Sequence, residues 1–94
     1  MNDEIFGALS NSYRREIVAL LKNRDMSAGE IVDNFDIAQP TISRHLDVLK
    51  KAEIISSKRV GNQIIFTLNG NTFEKLLIYC AKLIPSDNWP IGLI

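Results

Sequence analysis

The stretch "IAQPTISRHLDVLKKAEII", Ile37 to Ile55, gathers the side chains in this chain best suited to chemistry. Arg44, Lys50 and Lys51 supply cations, Gln39, Thr41 and Ser43 supply short polar groups, and His45 is the only histidine. Catalysis finds no support there. A histidine acting as general base needs a nucleophile or carboxylate arranged with it, and no paired acids or phosphate-cradling glycine loop stand elsewhere. Recognition of an anion remains. Arg pairs bidentately with guanine and Gln with adenine, while Lys and Arg neutralise phosphates. Neither an enzyme nor a cofactor is expected.

A polyanion partner fits poorly with a net charge of zero until the charge is followed along the chain. Residues 1–37 carry Arg14, Arg15, Lys22 and Arg24 against seven carboxylates, a balance of −3. Residues 38–66 carry Arg44, Lys50, Lys51, Lys58 and Arg59 against Asp47 and Glu53, a balance of +3. Such a dipole lets one face hold a polyanion that the other repels. The length, 94 residues, and the composition, 46% hydrophobic and 23% charged, fit a single small globular domain spanning 1–94. A lone cysteine excludes an intrachain disulfide and fits a reducing compartment. Asp3 and Glu4 follow Met1 where a signal peptide would be basic. No apolar run approaches the roughly 20 residues of a membrane span. The expectation is a soluble, cytoplasmic domain with no membrane insertion.

The surrounding elements follow from periodicity. Ile5, Phe6 and Leu9 form a short apolar patch at helical spacing. "SNSYRREIVALLKN" begins at a capping Asn11 and places Tyr13, Ile17, Leu20 and Leu21 on one face. Ser27 followed by Glu30 is a capping-box pattern, so a short third helix carries Ile31, Val32 and Phe35. In the fourth helix Ile42, Leu46 and Leu49 share a narrow arc at about 100° per residue. Pro40 lies in its first turn, where a missing N–H does no harm. Pro40, Thr41, Arg44 and Lys51 stand opposite the arc, with Ser43 and His45 at its flanks. "IISSKRV", Gly61-Asn62 and "QIIFTL" read as a two-stranded hairpin with Lys58 and Arg59 near its tip and Ile64, Phe66 and Leu68 turned to one side. Asn71 or Thr72 can cap a last helix, which Pro85 ends, and an apolar tail follows over 85–94 with Trp89, Ile91, Leu93 and Ile94.

A charged face opposite an apolar stripe is, alone, equally a solvated surface. The basic-tipped hairpin is what favours the other reading. Two short helices, a tight turn and a hairpin make a mainly α (α+β) winged helix-turn-helix, with about five helices and a two-stranded wing between the last two. A helix fits the major groove of B-DNA, about 12 Å wide, while the wing reaches a neighbouring phosphate strand. Double-stranded DNA is the expected partner.

The residues also carry a family resemblance. "LSNSYRREIVALL" resembles the opening of the ArsR-type winged-helix repressors, and "DMSAGEIVDNFDIAQPTISRHLDVLKKAEIISSKRVGNQIIFTL" is similar to their helix-turn-helix and wing throughout. Within the family the chain looks most like the small metal-independent autorepressors of the SdpR type. The resemblance covers about residues 5–84 and implies a homodimer that binds an inverted-repeat operator and represses until an effector, a protein being one possibility, intervenes. It implies a DNA surface of Gln39, Pro40, Thr41, Ser43, Arg44 and His45 on the fourth helix and Lys58, Arg59, Asn62 and Gln63 on the wing. The chain departs from the pattern at three of its positions. Ala38 replaces a capping Ser, Pro40 a polar side chain, and Asn62 a frequent Arg.

Sensing and assembly complete the expectations. Metal sensors of this kind use several thiolates, or carboxylate and His ligands on the last helix, and zinc normally takes four N, S or O ligands. Here "SAGEIVDNF" has no cysteine and "TFEKLLIYCAKLI" has no histidine and one acid, Glu74, so no metal site is expected. Cys80 falls on the apolar arc of its helix, which predicts a buried structural thiol. A two-fold interface is expected to pair Ile5, Phe6 and Leu9 with Phe73, Leu76, Leu77, Ile78, Cys80, Leu83 and Ile84, because these exceed one core-facing stripe. The alternatives are a winged-helix protein-interaction module without DNA binding and a metal-sensing repressor.

Overall fold

The computed structural model describes residues 3–85 and 87. Its elements run α1 (Asp3–Leu9), α2 (Ser12–Asn23), β1 (Met26–Ser27), α3 (Ala28–Val32), α4 (Gln39–Lys51), β2 (Ile55–Val60), β3 (Gln63–Leu68) and α5 (Gly70–Lys82). The strands form one antiparallel sheet in the order β1-β3-β2. This is the winged helix-turn-helix, enlarged by a third strand that the sequence did not announce. β1 is two residues long, Met26 opposite Phe66 and Ser27 opposite Ile65, and two residues show no alternation.

Local chemistry sets the boundaries. Asn11 Oδ1 accepts from the Arg14 N–H at 3.2 Å and starts α2. At α3 the Ser27 hydroxyl accepts from the Glu30 N–H (3.2 Å) while Glu30 Oε1 accepts from the Ser27 N–H (3.0 Å). α4 begins at Ala38 with no side-chain cap and with Pro40 in its first turn. It ends in a reversed pair of hydrogen bonds, Glu53 N–H to Lys50 O and Ile54 N–H to Leu49 O, both 3.0 Å, with Glu53 at φ 60°. The hairpin closes between Val60 and Gln63. Gly61 has φ +61° and Asn62 does not share it, which is the glycine-first hairpin turn whose twist suits the strands.

Ile17, Ile31, Ile42, Leu49, Ile54 and Ile55 form the fully buried centre, so α2, α3, α4 and the root of β2 share one core. Four expectations change. Ile5 is only 6% exposed and belongs to this core, because α1 folds over it and does not stand free. Ile64 is exposed, since β3 has left the core near the hairpin tip; only Phe66 is buried and Leu68 half-buried. α5 starts at Gly70, so Asn71 and Thr72 lie inside it, and the buried Thr72 hydroxyl donates to Glu53 O. Cys80 is exposed, not buried.

The last correction has a plain cause. α5 buries Thr72 and Ala81 and rests Phe73 and Leu76 against the core, but its remaining apolar side chains face outwards. Periodicity tells which side of a helix is apolar, not what covers it. The extents, 50 × 24 × 22 Å, and a radius of gyration of 15.1 Å are those of an elongated molecule. A compact 94-residue chain would give about 12 Å. Trp89, Ile91, Leu93 and Ile94 lie outside the described residues. Among the described residues no helix is long and apolar enough to cross a membrane.

Candidate nucleic-acid interface

The buried stripe Ile42, Leu46, Leu49 fixes which way α4 faces. With it anchored, Gln39, Pro40, Ser43 and Arg44 are exposed, and Thr41 and His45 are half-buried. On the wing Lys58, Arg59, Asn62 and Gln63 are all exposed. Lys50 and Lys51 close the exposed side of the last turn of α4, where cations also suit the negative end of the helix dipole. Among the described residues the one ion pair is Arg24 with Glu30 at 2.9 Å. Arg44, Lys50, Lys51, Lys58 and Arg59 therefore keep their charges free for an outside anion.

His45 is the exception in the row. Its Nδ1 lies 3.2 Å from Arg14 Nη1, and its ring stacks on Tyr13 at 5.8 Å and 28°. Burial, and then the charge of Arg14, hold its pKa below the ordinary histidine value. It is a junction residue between α2 and α4 as much as a surface group.

Sequence reading overlooked Arg14 and Arg15. Arg14 donates from Nε to Ala8 O (2.6 Å) and from Nη2 to Gly7 O (3.2 Å), and Arg15 donates from Nη1 to Leu9 O (2.9 Å). They meet the last carbonyls of α1, those of Ala8 and Leu9, and add to the Ser10 N–H and hydroxyl bonds on Gly7 O. The signal was available. Two cations in the first turn of α2 oppose that helix's own dipole, so they must serve another partner. Among the described residues no three His, Cys, Asp or Glu side chains gather into a metal-binding group.

A buried helix stripe, an outward polar side with cations unpaired among the described residues and a basic hairpin tip are the features of the DNA-binding regulators of the winged-helix class. The profile of the bacterial regulatory proteins of the arsR family matches residues 11–57, and the chain belongs to that family. It is similar to the transcriptional repressor SdpR of Bacillus subtilis (strain 168), 48% identical over 92 residues, covering 98% of this chain and 91% of the relative. It is also 34% identical over 73 residues to an arsenical resistance operon repressor of Staphylococcus aureus, covering 78% of this chain and 70% of the other. Among solved structures, an ArsR-like transcriptional regulator from Rhodococcus sp. RHA1 superposes with a TM-score of 0.78 at 26% identity, over 85% of this chain and 76% of that one.

Proposed function

We propose that this regulator is a sequence-specific, homodimeric repressor that acts on its own promoter in the cytoplasm and does not require a metal. The observation that carries the DNA reading is the exposure of Gln39, Ser43 and Arg44, with Arg44 opposite and Ser43 flanking a buried stripe, on a helix whose cations have no carboxylate partner among the described residues. In this reading Gln39, Pro40, Thr41, Ser43, Arg44 and His45 enter the major groove, and Lys58, Arg59, Asn62 and Gln63 meet the flanking backbone. Similarity to a relative named as a transcriptional repressor supports repression as the outcome.

The dimer rests on α5. Leu77 (52% exposed) and Ile78 (55%) lie on it in the open, Leu83 (66%) caps its end, and Phe6 (43%) stands on α1, its ring 5.7 Å from that of Tyr79. Monomeric proteins seldom leave such a group uncovered, and a second copy would cover it. Leu9, Phe73, Leu76 and Ile84 are half-buried and would edge that interface, with Cys80 exposed within it and Ile5 beneath it in the core. One cysteine and one histidine in the chain leave too few soft ligands for a metal sensor, so release is assigned to another effector, a protein among the possibilities.

Selection of duplexes from a random pool, followed by footprinting on the gene's own promoter, tests the reading. Arg44→Ala should weaken the selected site by about 1–3 kcal/mol, the worth of a bidentate base contact. Unchanged affinity would remove α4 from the groove. Sedimentation at low micromolar concentration should give a dimer, and Leu77→Glu should dissociate it; a folded wild-type monomer would refute the assembly.

A further inference from the structure

Arg14 contacts three parts of the molecule at once. Its Nε and Nη2 are held by Ala8 O and Gly7 O at the end of α1, its own backbone belongs to α2, and its Nη1 reaches His45 on α4. A guanidinium has donors only. At 3.2 Å, His45 Nδ1 must therefore be the acceptor, and in the neutral ring the proton sits on Nε2. Tyr13 stacks on the same ring and is itself held edge-on by Phe35 at 5.9 Å, so the imidazole is fixed in plane as well as in tautomer. Nε2–H has no hydrogen-bond acceptor among the described residues, although the ring is half-exposed next to Arg44. A fixed, unused donor at the half-exposed flank of α4, beside Arg44, is what a phosphate oxygen requires.

We infer that Arg14 is a positioning residue for DNA binding: through its hydrogen bond to Nδ1 it holds His45 as the Nε2–H tautomer, so that the ring offers the DNA backbone one directed N–H donor. This rests on the reading that α4 faces DNA. It goes beyond that reading because Arg14 itself touches no DNA; it acts through His45. The same hydrogen bond adds a polar tie between the DNA-facing helix and the end of α1, which also pack on each other directly through the core.

His45 is the only histidine, so one pair of imidazole nitrogen resonances reports on it without assignment. In ¹⁵N-labelled wild-type protein at neutral pH, Nδ1 should be unprotonated and Nε2 protonated, and the Nε2–H signal should shift when a duplex selected from a random pool is added. Arg14→Met, which removes every donor but keeps the aliphatic stem, should yield mixed tautomers and about tenfold weaker binding. In a His45→Ala background the further loss on Arg14→Met should be small, because groups that act through one another are not additive. A protonated Nδ1 in the wild type, a tautomer unchanged in Arg14→Met, or fully additive losses would each overturn the inference. Should Arg14→Met fail to fold, the wild-type spectrum, its response to duplex and the affinity of His45→Ala still decide it. If no duplex is selected at all, the placement of α4 on DNA fails and the inference falls with it, while the tautomer spectrum still tests the Arg14–His45 contact on its own.

Discussion

Glu53 marks the point where a side chain is carried on a backbone that suits glycine. It follows α4 at φ 60°, and among the described residues no other non-glycine has a positive φ. Its N–H closes on Lys50 O and the next N–H closes on Leu49 O, which lets the helix stop and β2 begin. The left-handed conformation costs an L-residue roughly 1–2 kcal/mol that glycine escapes. Glycine forfeits about 0.4–1 kcal/mol of this through a freer unfolded chain. The Glu53 side chain offsets none of it, being exposed and without an ion pair among the described residues. The carbonyl that accepts from Thr72 is backbone and survives the change. Glu53→Gly should therefore stabilise the fold by ~0.5–1 kcal/mol, a rise in Tm of about 2–8 °C for a domain of this size. Thermal and urea unfolding at one fixed protein concentration measure it, since association would otherwise move the midpoint. Glu53→Val should move the midpoint the other way, because a β-branched residue tolerates positive φ worst. A midpoint that falls in Glu53→Gly with an unchanged urea slope would refute the assignment of strain to this residue.

Three further outcomes follow from named contacts. Ser27→Ala removes the hydroxyl half of the α3 capping box and should cost about 1 kcal/mol in urea unfolding, with Ser27→Gly costing less. Lys58→Ala and Arg59→Ala should each flatten the slope of log affinity against log salt by about one unit without changing the preferred sequence; a changed preference at constant slope would count against phosphate contacts. The depressed pKa of His45 means that the unfolded chain takes up this proton first, so its contribution is complete above about pH 6.5 and is lost as pH falls towards the folded value. Stability should thus drop from pH 7 to acid, and His45→Gln should lose that part of the slope; an identical curve in the variant would show that His45 is not the titrating group.

Much of the fold was legible because it is local. Asn11, Ser27 with Glu30, the Ile42–Leu46–Leu49 stripe and the Gly61-Asn62 turn each state their conformation within four residues. What escaped was tertiary. β1 exists only because β3 offers it an edge, and no pattern of two residues could announce that. Cys80 and Ile5 exchanged their expected environments because helical spacing orients a face without saying whether core or solvent lies against it. In the candidate interface, Pro40, Thr41, Arg44 and Lys51 were readable as the side opposite a stripe, with Ser43 and His45 at its flanks. The role of Arg14 was not, since its partners lie on α1 and α4, six to 31 residues away in the chain. A cation placed against the dipole of its own helix was the one local sign.

The zero net charge has a consequence for how the proposed DNA face would work. The carboxylates of residues 1–37 all precede α4, whereas five cations that have no ion-pair partner among the described residues fall on α4 and the wing. At physiological salt the screening length is about 8 Å, so charges beyond the contact region scarcely oppose a phosphate already touching Lys58 or Arg59. They do oppose the approach. Long-range steering and sequence-independent affinity both grow with net positive charge, and this chain has none. Non-specific DNA should then be held weakly and released readily by salt. On the proposed reading such a regulator cannot rely on phosphate attraction to stay on its site, so base contacts by Gln39, Ser43 and Arg44, the proposed donor of His45 and the doubling of contacts in the proposed dimer would have to supply the difference between a bound and a free operator.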